Sequence, residues 1–286
     1  MSIQRLFTQW INTFFTAKKM MMNTTKSFLT LLALLFLAFA CQPQEKEASG
    51  AETLGATNAE ESPAKQLINE VIDAHGGDRY ENIRVEFDFR NRHYITDRNN
   101  GVYQNERIFK DENGATVRDV MTNDSFVRYM NGEKTTLTEK NEASYRNSIN
   151  SVIYFTLLPY FLNDPAVKME MLDPTTLGGV TYQKVKVTFQ QEGGGKDFED
   201  EFVYWINENT KTMDYLAYNY LTDGGGARFR SAYNIRMFDG VRFANYVNFK
   251  PPTKRRDIEN FDQLYLNDQL VELSRIENEN ISVSIR

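Results

Sequence analysis

Arg228, Arg230 and Arg236 stand at even offsets in the stretch "RFRSAYNIR", together with Asn234. In an extended chain that spacing puts them on one strand face. Guanidinium groups so placed could grip a phosphate or carboxylate headgroup through paired N–H bonds. The other reading is cross-strand pairing with acids such as Asp214 or Asp200 on a solvated face. Aromatic residues make up 13% of the chain and crowd Tyr154, Phe155, Tyr160, Phe161, Trp205, Tyr215, Tyr218 and Tyr220. With Leu158 they could line an apolar cavity whose few hydroxyls orient that headgroup. They equally suit a filled core in which residues 149–162 occupy the space themselves.

Other chemistries find less support. "KDFEDE", residues 196–201, offers oxygen ligands but lacks the turn glycine and spacing of a calcium loop. It reads as a charged hairpin shoulder. His75 lies in "AHGG" at a helix end, where the dipole favours its cation, and no orienting acid or nucleophile is close in sequence. With one cysteine and two histidines, soft-metal clusters are out of reach. No nucleophile elbow or phosphate loop is present. The expectation is a protein without catalytic residues, cofactor or metal.

The single cysteine, Cys41, closes the apolar run 28–40, whose 13 residues fall short of a membrane-spanning helix. Lys26 ahead of it and the small residues Ala38 and Ala40 at its end suit a secretory signal. Ala38-Phe39-Ala40-Cys41 resembles a bacterial lipobox, which implies cleavage before Cys41 and lipid attachment to it. An alanine stands where that motif favours leucine, with Leu37 one place further out. An ordinary signal peptide is the alternative. "MMM" at 20–22 offers later starts, and a leader from Met22 is well proportioned; a long amphipathic leader is the other reading.

Loss of residues 1–40 removes Arg5, Lys18, Lys19 and Lys26 and no acid, taking the formal charge from −6 to −10. An acidic chain gains nothing from a polyanion, so nucleic acid is not an expected partner. Membrane association would come from the acyl chains, since stable anchoring needs more than one. Gln42 follows the cysteine where an aspartate commonly retains lipoproteins at the inner membrane, and the resemblance therefore implies the outer membrane.

The elements that must position these residues follow from composition and period. Residues 42–62 have no aromatic and one large aliphatic, Leu54, and read as a tether. The expected organisation is a signal over 1–40, a lipidated cysteine and tether over 41–63, and one domain over 64–286. Ser62 and Pro63 open a helix with Leu67, Ile68, Val71 and Ile72 on one face, and Gly76-Gly77 closes it. Ile83, Val85, Phe87 and Phe89 then alternate with charged residues, which predicts a half-buried strand. Shorter strands are expected over 102–109, 115–121 and 126–130, and a meander over 180–190, 202–207, 213–221, 227–237 and 241–249.

Alternate loops of such a meander share an edge, which puts Gly193–195 and Gly224–226 on one rim. For the last hairpin the pattern favours a three-residue loop, 238–240, setting Met237 opposite Val241, Ile235 opposite Phe243 and Phe229 opposite Phe249. Arg242 then falls on the polar face. Residues 148–165, "SINSVIYFTLLPYFLNDP", are apolar all round and interrupted by Pro159. A helix of that kind must be buried all round, as a sheet curling over it would allow.

A helix ending in glycines, a curling antiparallel sheet and an apolar helical plug resemble the half-barrel of the LolA/LolB-like superfamily. The stretches "INEVIDAHGGDRYENIRVEFDFR", "YFTLLPYFLNDP", "DEFVYWINENTKTMDYLAYNY" and "RFRSAYNIRMFDGVRFANYVNF" resemble an uncharacterised lipoprotein family of Bacteroidota. The resemblance implies an α+β, mainly β half-barrel with an N-terminal helix and the plug in its concave face. It also implies a lipid-anchored envelope protein taking a lipid or acylated partner in that cavity. The alternative is a structural or interaction lipoprotein whose cavity is permanently plugged.

Overall fold

Ser62 accepts a hydrogen bond from the Lys65 backbone N–H at 3.3 Å, and Pro63 opens helix α1 (Pro63–His75). The structure is a computed structural model that describes residues 61–192, 198–221 and 224–286. The leader, Cys41, the tether up to residue 60, and residues 193–197, with the expected glycine triplet, lie outside the described residues. Leu67, Ile68, Val71 and Ile72 form the buried face of α1 as their spacing predicts. Gly77, at φ +59°, turns the chain into a 3-10 segment (Gly77–Asn82), and a Cβ on Gly76 would come within 2.9 Å of the Tyr80 ring.

The strands form two antiparallel sheets of seven. The first contains β1 (Ile83–Phe89), β2 (Arg92–Asn99), β3 (Val102–Lys110), β4 (Thr116–Thr122), β5 (Phe126–Met130) and β6 (Glu133–Thr135) in sequence order, with β14 (Asn278–Ile285) on the free side of β1. The second runs from β7 (Val167–Leu177) through β8 (Val180–Phe189), β9 (Glu201–Asn207), β10 (Met213–Tyr220), β11 (Gly226–Phe238) and β12 (Val241–Lys250) to β13 (Val271–Ile276). Only Glu277 separates β13 from β14, so the chain crosses from one sheet's edge to the other's. The long sheet read from the sequence is thus two open sheets sharing a seam. At that seam the Asn278 backbone N–H donates to Asn245 Oδ1 at 3.3 Å.

Three apolar clusters result. On the inner face of the second sheet, Val185, Val187, Phe202, Tyr204, Ile206 and Leu216 meet α1 together with Leu158 and Leu162. On the first sheet, Ile83, Val85, Phe87 and Tyr94 meet Ile149, Ile153 and Leu157. The outer face of the second sheet buries Val203, Trp205, Ala217 and Phe229 under Ile258, Phe261 and Tyr265. The last two belong to helix α3 (Phe261–Leu266). Cover on both faces explains why Phe202, Val203, Tyr204, Trp205 and Ile206 read as a continuous apolar run.

Helix α2 (Glu139–Thr156) starts nine residues before the apolar segment from which the sequence predicts it, capped by Thr138. Its polar first half has no apolar face to announce it. Two arginines of the first sheet hold it instead: Arg107 donates to Ser148 Oγ at 2.8 Å, and Arg128 lies 3.5 Å above the Tyr145 ring. The helix ends at Thr156, ahead of Pro159, and a 3-10 turn (Tyr160–Asn163) completes the plug.

The last hairpin departs from its expected register. Phe238 pairs directly with Val241 across a two-residue loop, with Asp239 and Gly240 at φ +47° and +78°. Arg236 opposes Phe243, and a bulge between Tyr233 and Arg236, with Asn234 at φ +49°, absorbs the extra residue. Phe229 therefore still pairs with Phe249. Ile235 and Met237 are exposed, not core. Arg242, expected on a solvated face, is buried.

Candidate functional site

Side-chain alternation sorts the predicted site residues onto opposite faces of the second sheet. On β9, Phe202 and Tyr204 point inward while Val203 and Trp205 point outward. Trp205 and Tyr215 therefore sit on the outer face against Phe229, with ring centroids 5.4 and 5.7 Å from it. They do not share a cavity with Tyr218. Tyr160 also separates: it stacks on Tyr80 at 5.3 Å and accepts a hydrogen bond from Arg98. The bulge carries Arg236 to the seam, where it donates to Asn245 Oδ1 at 2.6 Å.

The remaining residues do meet. Tyr154, Phe155, Leu158 and Tyr218 all belong to the inner-face cluster. Arg230 enters it from β11, its guanidinium carbon 4.0 Å from the Phe155 ring centroid and 5.1 Å from that of Tyr218. Arg228 projects from the same strand face, 5.2 Å above Tyr220. Arg230 is only 7% exposed, and its Nη2 donates to the Tyr218 hydroxyl at 3.0 Å. Among the described residues its Nε has no hydrogen-bond partner and it forms no ion pair. Directly opposite on β12 is Asn248, whose Oδ1 is likewise without a partner.

The buried hydroxyls of Tyr154, Tyr204 and Tyr246 stay protonated. Burial pushes the Tyr154 hydroxyl up to about 12 and Tyr204 well above its usual range; Tyr246 is raised by burial too. The hydroxyls of Tyr154 and Tyr204 influence one another, and neither makes a hydrogen bond among the described residues. The site is a buried cation ringed by neutral donors inside an apolar shell. Such a site can hold an anionic group whose remainder is apolar.

Asp214 pairs with Arg242, at 2.9 Å, and not with the arginines of β11. Arg242 also donates to His75 Nε2 at 3.2 Å, and His75 Nδ1 donates to the Val71 carbonyl at 2.8 Å. The helix dipole does not make His75 a cation. Burial first, and the Arg242 charge second, lower its pKa to about 3. The sequence gives no sign of this network, because its members lie on α1, β10 and β12.

A family model matches residues 52–278, most of the chain. The chain belongs to DUF6503, a family of unknown function. No curated protein matches this DUF6503 chain in sequence. Among solved structures it is similar to a LolA superfamily protein from Nitrosomonas europaea, at 8% identity and TM-score 0.44, over 79% of this chain and 94% of that one. A DUF1329 family protein from Desulfovibrio piger is similar at 9% identity and TM-score 0.42, over 77% and 93%. The Mycobacterium tuberculosis lipoprotein LppX is similar at 12% identity and TM-score 0.25, over 56% and 90%. The architecture of the DUF6503 chain is described by its own strand pairing.

Proposed function

We propose that this protein is a lipid-anchored, non-enzymatic binding protein of the cell envelope, seated at the outer membrane through Cys41. Its ligand is an anionic amphiphile, a lipid or an acylated partner, held in the concavity of the second sheet. Buried Arg230, with an unpartnered Nε and no ion pair among the described residues, carries the reading. A guanidinium removed from water without an anion is costly to keep. A carboxylate or phosphate would complete its hydrogen bonds, and the attached chain would take the space of Tyr154, Phe155 and Leu158 as the plug moves aside.

A second reading has its own support. Leu158 and Leu162 are buried against the second sheet, so the plug already fills the concavity. Oleate binding and amide exchange separate the two, using a chain from residue 41 onward carrying Cys41→Ser. The binding reading expects oleate to bind and to alter exchange over 149–162. Arg230→Gln is expected to weaken binding about tenfold or more, the loss of a charge-assisted contact. No bound lipid in organic extracts, with 149–162 exchanging only at the global unfolding rate, would establish the permanently filled core.

Anchoring is tested separately. In cells fed a fatty-acid analogue, the wild-type chain is expected to take up label. Cys41→Ser is expected to accumulate as an unlabelled, unprocessed precursor. Equal labelling of both would remove Cys41 as the acylated residue.

A further inference from the structure

A polar cleft of about 640 Å³ opens between α1, the 3-10 turn after it, the β2–β3 hairpin and the end of the plug. None of the residues that touch Arg230 lines it, although the plug contributes Asn150, Tyr160 and Phe161 to its wall. Arg98 and Asn105 line it, and they are only 8% and 3% exposed. Arg98 Nη2 donates to the Tyr160 hydroxyl at 3.3 Å, which donates to Glu81 at 3.1 Å. Arg98 Nε and Asn105 Oδ1 have no partner. The two side chains that carry this donor and this acceptor line the same cleft, the Arg98 guanidinium resting 4.7 Å from the Tyr160 ring centroid, and each atom comes within reach of a ligand as its side chain turns. Both are nine-tenths buried, where such groups are normally satisfied.

The charges narrow the ligand. Asp73, Asp78, Glu81 and Asp164 line the cleft with Arg98 as the one cation among its lining residues. Four carboxylates disfavour an anion, and a buried guanidinium disfavours a simple cation. A hydroxyl both donates and accepts, so it can answer Arg98 Nε and Asn105 Oδ1 without adding charge. Asn69 already donates to Glu61 and Asn163 Oδ1 already accepts from Lys65, which leaves the Asn69 carbonyl oxygen, the Asn163 N–H groups and the Asn150 amide for further contacts. The volume lies in the usual range for a bound small molecule. We propose that this cleft binds a neutral saccharide, with Arg98 donating to and Asn105 accepting from its hydroxyls.

The test is calorimetric titration of the Cys41→Ser chain from residue 41 onward with maltotriose, cellotriose and triacetylchitotriose. Trigalacturonate and glycerophosphoethanolamine serve as the anionic and zwitterionic comparisons. Saturable, millimolar or tighter binding of at least one neutral trisaccharide is expected. Asn105→Ala and Arg98→Lys are each expected to weaken it about tenfold, the loss of one hydrogen bond to a polar or charged group. Should Arg98→Lys fail to fold, Asn105→Ala decides alone. Arg230→Gln should leave saccharide binding unchanged while weakening oleate, which keeps the two sites distinguishable. No binding of any neutral trisaccharide by the folded chain, or tighter binding of either charged probe, overturns the assignment.

Discussion

Asp119→Ala is expected to destabilise the protein by about 3–5 kcal/mol, the range for breaking a buried ion pair from one side. The Asp119 side chain is 0% exposed and accepts from Arg107 at 2.6 and 3.0 Å and from Arg128 at 2.6 and 2.9 Å. Removing the carboxylate leaves two guanidinium groups facing each other in the interior, with no anion between them. The consequence reaches beyond β4, because the same arginines dock α2 through Ser148 and Tyr145. Against a total stability of about 5–15 kcal/mol for a domain, that loss leaves little margin. Urea unfolding followed by far-ultraviolet circular dichroism measures it. Replacing the triad together, as Asp119→Leu with Arg107→Met and Arg128→Leu, is expected to recover much of the loss, since no charge is then left unpaired. A single-variant cost below about 1 kcal/mol, the size of an exposed pair, would show that the triad is solvated.

Acid is expected to weaken the fold through His75 well before the carboxylates titrate. The ring is 2% exposed, and its pKa falls from 6.5 to about 3 because burial and Arg242 oppose the cation. A histidine with a lowered folded-state pKa binds more protons when unfolded. Its contribution is fully present above about pH 6.5 and falls by about 1.4 kcal/mol per pH unit below that, down to about pH 3. The summed loss is on the order of 4–5 kcal/mol. His75→Gln keeps a donor for Val71 and an acceptor for Arg242 but cannot titrate. Between pH 6.5 and 5 its unfolding free energy is expected to stay nearly flat while the wild-type value declines. Parallel slopes for the two proteins would mean that His75 is protonated in the folded state.

Some of this was legible in the residues alone. α1 was readable from its cap, its four apolar positions and its glycine stop, because helix signals are local. β1, β8 and β10–β12 were readable because alternation survives wherever one face is wet or a glycine turn marks the end, and β9 was readable as a short unbroken apolar run. β2, "RHYITDRN", was not: its buried positions include Thr96 and Arg98, so no apolar period exists to read. β7 was hidden by Pro174, tolerated because β7 is an edge strand with an irregularity between Leu172 and Thr175. β13 and β14 expose most of their side chains but do alternate, Val271 with Leu273 and Ile281 with Val283 and Ile285, a signal the expected strands leave out.

For the site, sequence by itself determined which residue types were available: a dense aromatic set, an arginine pair at strand spacing and an apolar plug that had to be buried. Tertiary structure decided which of them meet. Alternation on β9 and β10 sent Trp205 and Tyr215 outward and kept Tyr204 and Tyr218 inward, and one bulge at Asn234 carried Arg236 away from Arg230. The buried charges Asp119, His75 and Arg242 were set by charged or ring partners 9 to 167 residues distant in sequence. A local window carries propensity and period, whereas desolvation and pairing depend on neighbours that only the folded chain brings together.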